Sequence, residues 1–121
     1  MVLAATDPAN AWGNVLPWPE LGERGRPQRV AGAKVILLGG QLIGYLGRTR
    51  KSLVTFLPES EPERGQVMRA LADALAGIAR PGASLLISKI DGGAPGDSPL
   101  SVALRDAEFS PSSRGYLHKG R

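Results

Sequence analysis

The sequence predicts the α+β class, with a curved antiparallel sheet or partial β-barrel and two helices, in the order βββ-α-β-α-β, behind an extended N-terminal arm. Three observations lead to this prediction. Two apolar, β-branched runs are joined by Gly39-Gly40, an apolar helical period extends over residues 63–79, and a shorter helical pattern follows Ser98-Pro99. Strands and helices that occur in separate runs are typical of α+β proteins.

Residues 1–28 are predicted to form an extended arm and a polar loop. Both tryptophans, Trp12 and Trp18, lie in the arm, which shows no helical or strand period, and prolines on both sides of Trp18 favour extended backbone. Two interpretations are open. The tryptophans either hold a strap over a small core, or they form a docking surface for another domain or a stacking platform for bases.

The next segment predicts a three-stranded meander. Residues 35–38 and 41–46 are apolar strands, and Gly39-Gly40 supplies the positive φ angles that a two-residue hairpin turn requires. Because both strands are apolar on both faces, this hairpin is predicted to be central. A turn at residues 47–51 leads to the third strand, residues 52–57.

A capping box formed by Ser60 and Glu63 predicts the start of the first helix, which continues to about Ala79. Pro81-Gly82 is predicted to stop it. Apolar residues recur on one face at helical spacing: Val67, Met68, Leu71, Ala72, Leu75 and Ile78.

The last third of the chain predicts a strand at residues 84–90 and a loop at residues 91–97. Ser98-Pro99 begins a short helix, since proline is favoured at the first helical position. Its buried face is predicted to consist of Leu100, Ala103, Leu104 and Ala107. Phe109 packs on the core, and residues 113–118 form the last strand.

Length and composition narrow the function classes. A chain of 121 residues holds one domain at most, with residues 29–121 as its body. The lack of an apolar run of about 18 residues predicts no membrane span. Cysteine is absent, which excludes disulfides and thiolate metal sites and fits a cytoplasmic protein. His118 is the only histidine, so no histidine-based metal cluster can form and no metal site is predicted.

The net charge of +4 favours polyanionic partners, although a genome rich in G and C also enriches arginine, glycine and proline. Cations cluster at the predicted turn and in the C-terminal tail, where His118 joins them, and a third group lies at Arg24, Arg26 and Arg29. Lysine and arginine that neutralise phosphates release counterions, whereas solvated turns are the alternative. The predicted nucleic-acid-binding residues are Arg48, Arg50, Lys51, Arg114, Lys119 and Arg121.

No catalytic residues are predicted. Tyr45 follows the glycines of residues 39–44 where a phosphate-binding loop requires lysine, and no nucleophile elbow is present. Asp91 and Asp97 share a glycine-rich loop and suit turn formation and helix capping better than metal binding.

Several segments together resemble the last domain of the large helicase-related (Lhr) proteins, which are bacterial, ATP-dependent DNA helicases of the DExH type. The similar segments are residues 5–10, 16–19, 29–33, 42–46, 51–56, 90–92, 98–100 and 113–117. Ala11 and Glu108 depart from the family pattern, where Pro and Gly are usual.

The resemblance implies an accessory C-terminal DNA-binding domain of a helicase involved in DNA repair, without its own motor. The chain alone is then not expected to be an enzyme, and ATP and Mg²⁺ would belong to the absent motor domains. Implied partners are single-stranded or forked DNA, the motor and winged-helix domains of the same parent, and a second copy of the chain. A docking module is the alternative, and the chain is expected to be a fragment of a larger protein or a separate gene product.

The C-terminal region of Lhr proteins is also similar to AlkZ-like DNA glycosylases, which implies a third and less favoured function, a glycosylase-like DNA repair domain. Those enzymes use two glutamines that flank one apolar residue. Here Gln28, Gln41 and Gln66 are isolated, and residues 110–121 contain no Asp or Glu, so no catalytic residue can be carried over.

Overall fold

The computed structural model describes residues 1–79 and 82–120 and confirms the α+β class. The described residues form eight strands in two sheets, with two helices. The strands are β1 Val2–Ala4, β2 Lys34–Leu38, β3 Gln41–Leu46, β4 Ser52–Thr55, β5 Leu85–Ile87, β6 Lys89–Ile90, β7 Ser110–Ser112 and β8 Gly115–His118, and the helices are α1 Glu63–Ile78 and α2 Ser101–Asp106. One sheet has the order β1-β2-β3-β4-β6, the other has the order β5-β8-β7, and neither closes into a barrel.

The predicted hairpin lies at the centre of the larger sheet. Gly39 and Gly40 both adopt positive φ, 58° and 83°, as the two-residue turn between β2 and β3 requires. The first residues of the arm add an edge strand that was not predicted, since Val2 pairs with Ile36 in antiparallel register. A strand of three residues is too short to show an alternating pattern, so the prediction of an arm without strands was wrong here.

The predicted strand at residues 84–90 is two strands in different sheets. The amides of Ser88 and Lys89 both donate to the carbonyl of Lys51, at 2.8 and 3.1 Å, and these bonds bring the chain from one sheet to the other. Accordingly β5 pairs with β8, whereas β6 pairs with β4 in parallel, so the larger sheet is not wholly antiparallel. The last strand is also one half of a hairpin, because β7 precedes it.

Helix α1 ends within one residue of the predicted Ala79, but it begins at Glu63, two residues later than a cap at Ser60 would place its start. Pro62 is the N-cap residue, and Oε1 of Glu61, not the side chain of Ser60, accepts a hydrogen bond in the first turn, from Gly65 N at 2.7 Å. Its predicted face is buried except for Met68, which is half-buried. The predicted stop at Pro81 lies outside the described residues.

Helix α2 begins at Ser101, two residues after the predicted start. Ser98 Oγ accepts a hydrogen bond from Leu100 N at 3.1 Å and so shapes the turn before the helix. Leu100 and Leu104 are buried, as predicted, and Ala103 and Ala107 are half-buried against the core.

Two apolar clusters lie on opposite faces of the larger sheet. Adjacent residues of β4 show the division, since Leu53 joins the cluster under α1 and α2, and Val54 joins the cluster under the arm. Trp12 and Trp18 pack half-buried against this second cluster. Within the described part, neither helix is long and apolar enough to cross a membrane.

Candidate nucleic-acid interface

The turn between β3 and β4 separates its three predicted cations. Arg48 and Lys51 are exposed, whereas Arg50 is half-buried and adopts positive φ, 63°. The Arg50 guanidinium turns inward, where Nη2 donates to the carbonyl of Ile78 at 3.4 Å and Nε is buried without a partner among residues 1–79 and 82–120. Since Ile78 is the last residue of α1, the positive charge of Arg50 lies at the negative end of that helix.

We therefore expect Arg50→Ala to lower the free energy of unfolding by about 1 kcal/mol, because the helix terminus loses a cation and a hydrogen bond. DNA affinity is expected to change by less than about twofold, since the half-buried guanidinium is directed at the end of α1. Chemical denaturation and a DNA titration of the same variant measure both effects. A large loss of affinity with unchanged stability would contradict this assignment.

A groove of about 470 Å³ lies between this turn and the loop at residues 23–28. Four cations line it: Arg24, Arg26, Arg48 and Lys89. All four are exposed, and Glu23 is the single acidic residue among the described lining residues. The groove therefore presents an excess of positive charge in a concave surface, which suits a polyanion.

The loop that forms one wall of this groove is held against the sheet. The hydroxyl of Tyr45 donates to the carbonyl of Gln28 at 2.8 Å and accepts from its amide at 3.0 Å. Nη1 of Arg24 donates to the carbonyl of Thr55 at 3.3 Å. A Cβ at Gly25 would lie 2.5 Å from Val54 Cγ2, so the glycine permits the close approach.

The other predicted cations lie on the β7-β8 hairpin. Arg114 is exposed at its tip and Lys119 is exposed just after β8, while Arg121 lies outside the described residues. Five residue steps separate Arg114 from Lys119, or roughly 16 Å along a strand. A second groove, of about 390 Å³, is lined by Arg114 and by Arg105, whose guanidinium carbon lies 5.9 Å from the centre of the Tyr116 ring.

His118 does not join the basic tail, contrary to prediction. The side chain is buried, its Nδ1 accepts from Gly120 N at 2.9 Å, and its ring meets Phe109 edge-on with centroids 5.1 Å apart. His118 therefore has a structural role in the smaller sheet.

Both tryptophans contact this chain's own sheet. The Trp18 ring meets Tyr45 edge-on, with centroids 5.6 Å apart, and Trp12 is half-buried beside the carbonyls that Arg29 binds. The arm exposes other apolar residues, since Val15 is 79% exposed and Leu16 is 40% exposed. The docking role predicted for Trp12 and Trp18 stays a prediction, with Val15 and Leu16 as the exposed part of that surface.

The Asp91 carboxylate holds its loop to β4, because it accepts hydrogen bonds from both the backbone amide and the hydroxyl of Thr55, 36 residues away in the chain. Asp97 is exposed, and Ser98, not Asp97, supplies the side-chain hydrogen bond before α2. Within residues 1–79 and 82–120, no group of three His, Cys, Asp or Glu side chains could hold a metal ion.

The sequence predicts a cationic cluster that contains Arg24 and Arg26 but does not single them out as DNA-binding residues, and it gives no indication of Lys89. The only signal for the two arginines is their closeness in the chain. Lys89 has no local signal at all, because its position follows from the parallel pairing of β6 with β4, where it lies opposite Ser52.

No protein-family model matches the chain. It is 35% identical over 115 residues to the "Lhr helicase/uracil glycosylase" of Escherichia coli (strain K12), and 39% identical over 124 residues to the "Lhr helicase/ probable uracil glycosylase" of Mycolicibacterium smegmatis. Each alignment covers 95% of this chain. The chain spans 7% and 8% of the length of these two relatives.

Proposed function

We propose, from the premise that this chain is related to one segment of the Lhr helicases, that it is an accessory DNA-binding domain of such a helicase. The same relationship confirms the resemblance seen in its sequence. In this role it holds DNA, and the ATP-driven motor with its Mg²⁺ lies elsewhere in the parent protein. The motor and winged-helix domains of that parent are its proposed neighbours.

The observation that carries the proposal is the first groove. Four cations from two loops and one strand line a concave surface whose lining has one acid. Contacts between such cations and phosphates release counterions and fix the position of a strand without reading its sequence. Lys51, exposed in the same turn as Arg48, adds charge beside the groove.

The test is a fluorescence anisotropy titration of labelled single-stranded DNA at low and moderate salt. We expect weak binding that falls as salt rises, and a loss of roughly threefold to tenfold in affinity for the double variant Arg26→Ala, Arg48→Ala. The matched control is Arg69→Ala, which removes an exposed arginine of α1 outside the groove. Undetectable binding at low salt, or binding that salt leaves unchanged, would reject the proposal.

Docking to a sister domain or to a second copy is the second candidate, and the exposure of Val15 and Leu16 favours it. Val15→Ser is a sharper probe than Trp18→Ala, because Trp18 also supports Tyr45 in this chain. If docking is the function, Val15→Ser weakens association measured by ultracentrifugation and leaves DNA affinity unchanged. If Val15→Ser associates as strongly as the unaltered chain does, docking is rejected as a candidate function.

A glycosylase function is the third hypothesis, and its support is the wording of the two relatives' names. The Asp91 carboxylate accepts two hydrogen bonds from Thr55 and thereby holds its loop to β4, which is a structural role. We expect no abasic sites when the chain is incubated with uracil-containing DNA. Their appearance, at a rate proportional to the chain's concentration, would assign a catalytic role to this chain.

A further inference from the structure

We infer that the two grooves are parts of one continuous track that binds a single strand of DNA across both sheets, with Lys89 at the junction. This inference rests on the proposed DNA-binding function and specifies the ligand and its path.

Adjacent residues connect the grooves. Lys89 lines the first groove and Ser88 lines the second, at the point where the chain passes from β5 to β6. The following loop makes a second connection, since Gly92 lines the first groove and Pro95 lines the second.

The junction is built to keep the two grooves in fixed relation. The carbonyl of Lys51 accepts from the amide of Ser88 at 2.8 Å, from its hydroxyl at 3.3 Å and from the amide of Lys89 at 3.1 Å. On the other side, Gly115 of β8 lies directly against Ile87 and Ser88. These contacts hold the linings of the two grooves beside each other at Ser88 and Lys89.

Charge continues along the proposed track. After the four cations of the first groove, Arg105 and Arg114 line the second, whose described lining residues include no Asp or Glu. Much of the remaining lining consists of small residues, among them Gly96, Ser112 and Gly115, which leave room for a nucleic-acid backbone.

The shape of the track favours a single strand over a duplex. Each groove has a volume of a few hundred Å³, enough for one or two nucleotides, whereas a duplex presents its phosphates on a wide convex surface. By analogy with other single-strand-binding surfaces, we expect the track to occupy on the order of four to eight nucleotides.

The experiment compares labelled oligothymidylates of about three and about twelve nucleotides on the full chain and five variants. The variants are Arg26→Ala in the first groove, Arg114→Ala in the second groove, Lys89→Glu and Lys89→Gln at the junction, and Arg69→Ala as the control. We expect one long oligonucleotide to bind per protein molecule. Arg114→Ala and Lys89→Glu should each bind it roughly fivefold to tenfold more weakly, and Arg69→Ala should bind it with unchanged affinity. Lys89→Gln keeps a polar side chain in β6. It should also weaken DNA binding if the lost positive charge is the cause of the effect.

The outcomes separate the inference from the function it rests on. If the unaltered chain binds neither oligonucleotide, the proposed DNA-binding function is rejected. If Arg26→Ala weakens binding of the long oligonucleotide and Arg114→Ala leaves it unchanged, the continuous track is rejected and the first groove remains the DNA-binding site. Two long oligonucleotides per protein would show two separate sites and would also overturn the track. Circular dichroism melting of each variant shows whether a loss of affinity is caused by unfolding.

Discussion

Gly115→Ala is expected to lower the free energy of unfolding by about 4 kcal/mol, the largest effect of a single methyl group that we expect in this chain. Gly115 begins β8 with φ 136°, a conformation that side chains with a Cβ rarely adopt. The added Cβ would also collide with the carbonyl oxygen of Ile87 and lie 2.9 Å from Ser88 Cα. Both contacts are backbone, so no side-chain rotation can relieve them.

Urea denaturation followed by circular dichroism measures this prediction, and Gly40→Ala is the matched control. Gly40 also has positive φ, 83°, but a Cβ there would meet nothing within 4 Å. The control is therefore expected to cost only about 1 kcal/mol, the conformational part of the effect. Equal losses in the two variants would show that backbone conformation, and not the collision with Ile87, determines the cost. Gly115 lies against the residues that join the two grooves. We therefore expect DNA affinity to fall together with stability in Gly115→Ala but not in Gly40→Ala.

Elements that depend on local chemistry could be predicted from the sequence. Gly39-Gly40 between two apolar runs indicates a tight turn, and apolar residues that recur at intervals of three and four through Leu71, Leu75 and Ile78 indicate a helix with one buried face. Exposed cations at turn positions were likewise predictable, since Arg48, placed in a polar turn, is solvated by default.

Elements that depend on distant partners could not be predicted. Residues 84–90 have the strand propensity of a single strand, and the polar pair Ser88-Lys89 carries no turn or break signal of its own. The carbonyl of Lys51, far away in the chain, binds both amides and divides the run at this pair. The inward turn of Arg50 has the same origin, because the negative end of α1 is a feature of the folded protein and not of the turn's own sequence. The candidate site therefore combines a locally predictable cation, Arg48, with Lys89, which sheet pairing alone places beside it.

Arg29→Ala is expected to lower the free energy of unfolding by about 3 kcal/mol and to release the N-terminal arm from the sheet. The Arg29 guanidinium donates to three arm carbonyls, those of Asp7 at 3.0 Å, Asn10 at 2.6 Å and Trp12 at 3.2 Å. Hydrogen bonds from a charged donor are stronger than neutral ones, and their removal leaves the carbonyl of buried Asn10 without its partner. The carbonyls of Asp7 and Trp12 each keep a hydrogen bond from Asn10, whose side chain also binds Ala5, so part of the order within the arm should survive the substitution.

Tryptophan fluorescence and limited proteolysis report on the arm directly, because both tryptophans lie within it. In Arg29→Ala we expect a red-shifted emission and faster cleavage within residues 7–18, while the β2-β3 hairpin stays protected. Arg29→Lys should behave nearly as badly, since one ammonium cannot reproduce a fork that binds three carbonyls in fixed directions. Arg26→Ala is the control, an exposed arginine of the neighbouring loop that lines the first groove. If Arg29→Ala leaves emission and cleavage unchanged, the arm is held by the packing of Trp12 and Trp18 on their apolar cluster. If the arm is released and DNA affinity is kept, the grooves bind DNA independently of the arm, which leaves Val15 and Leu16 free for docking.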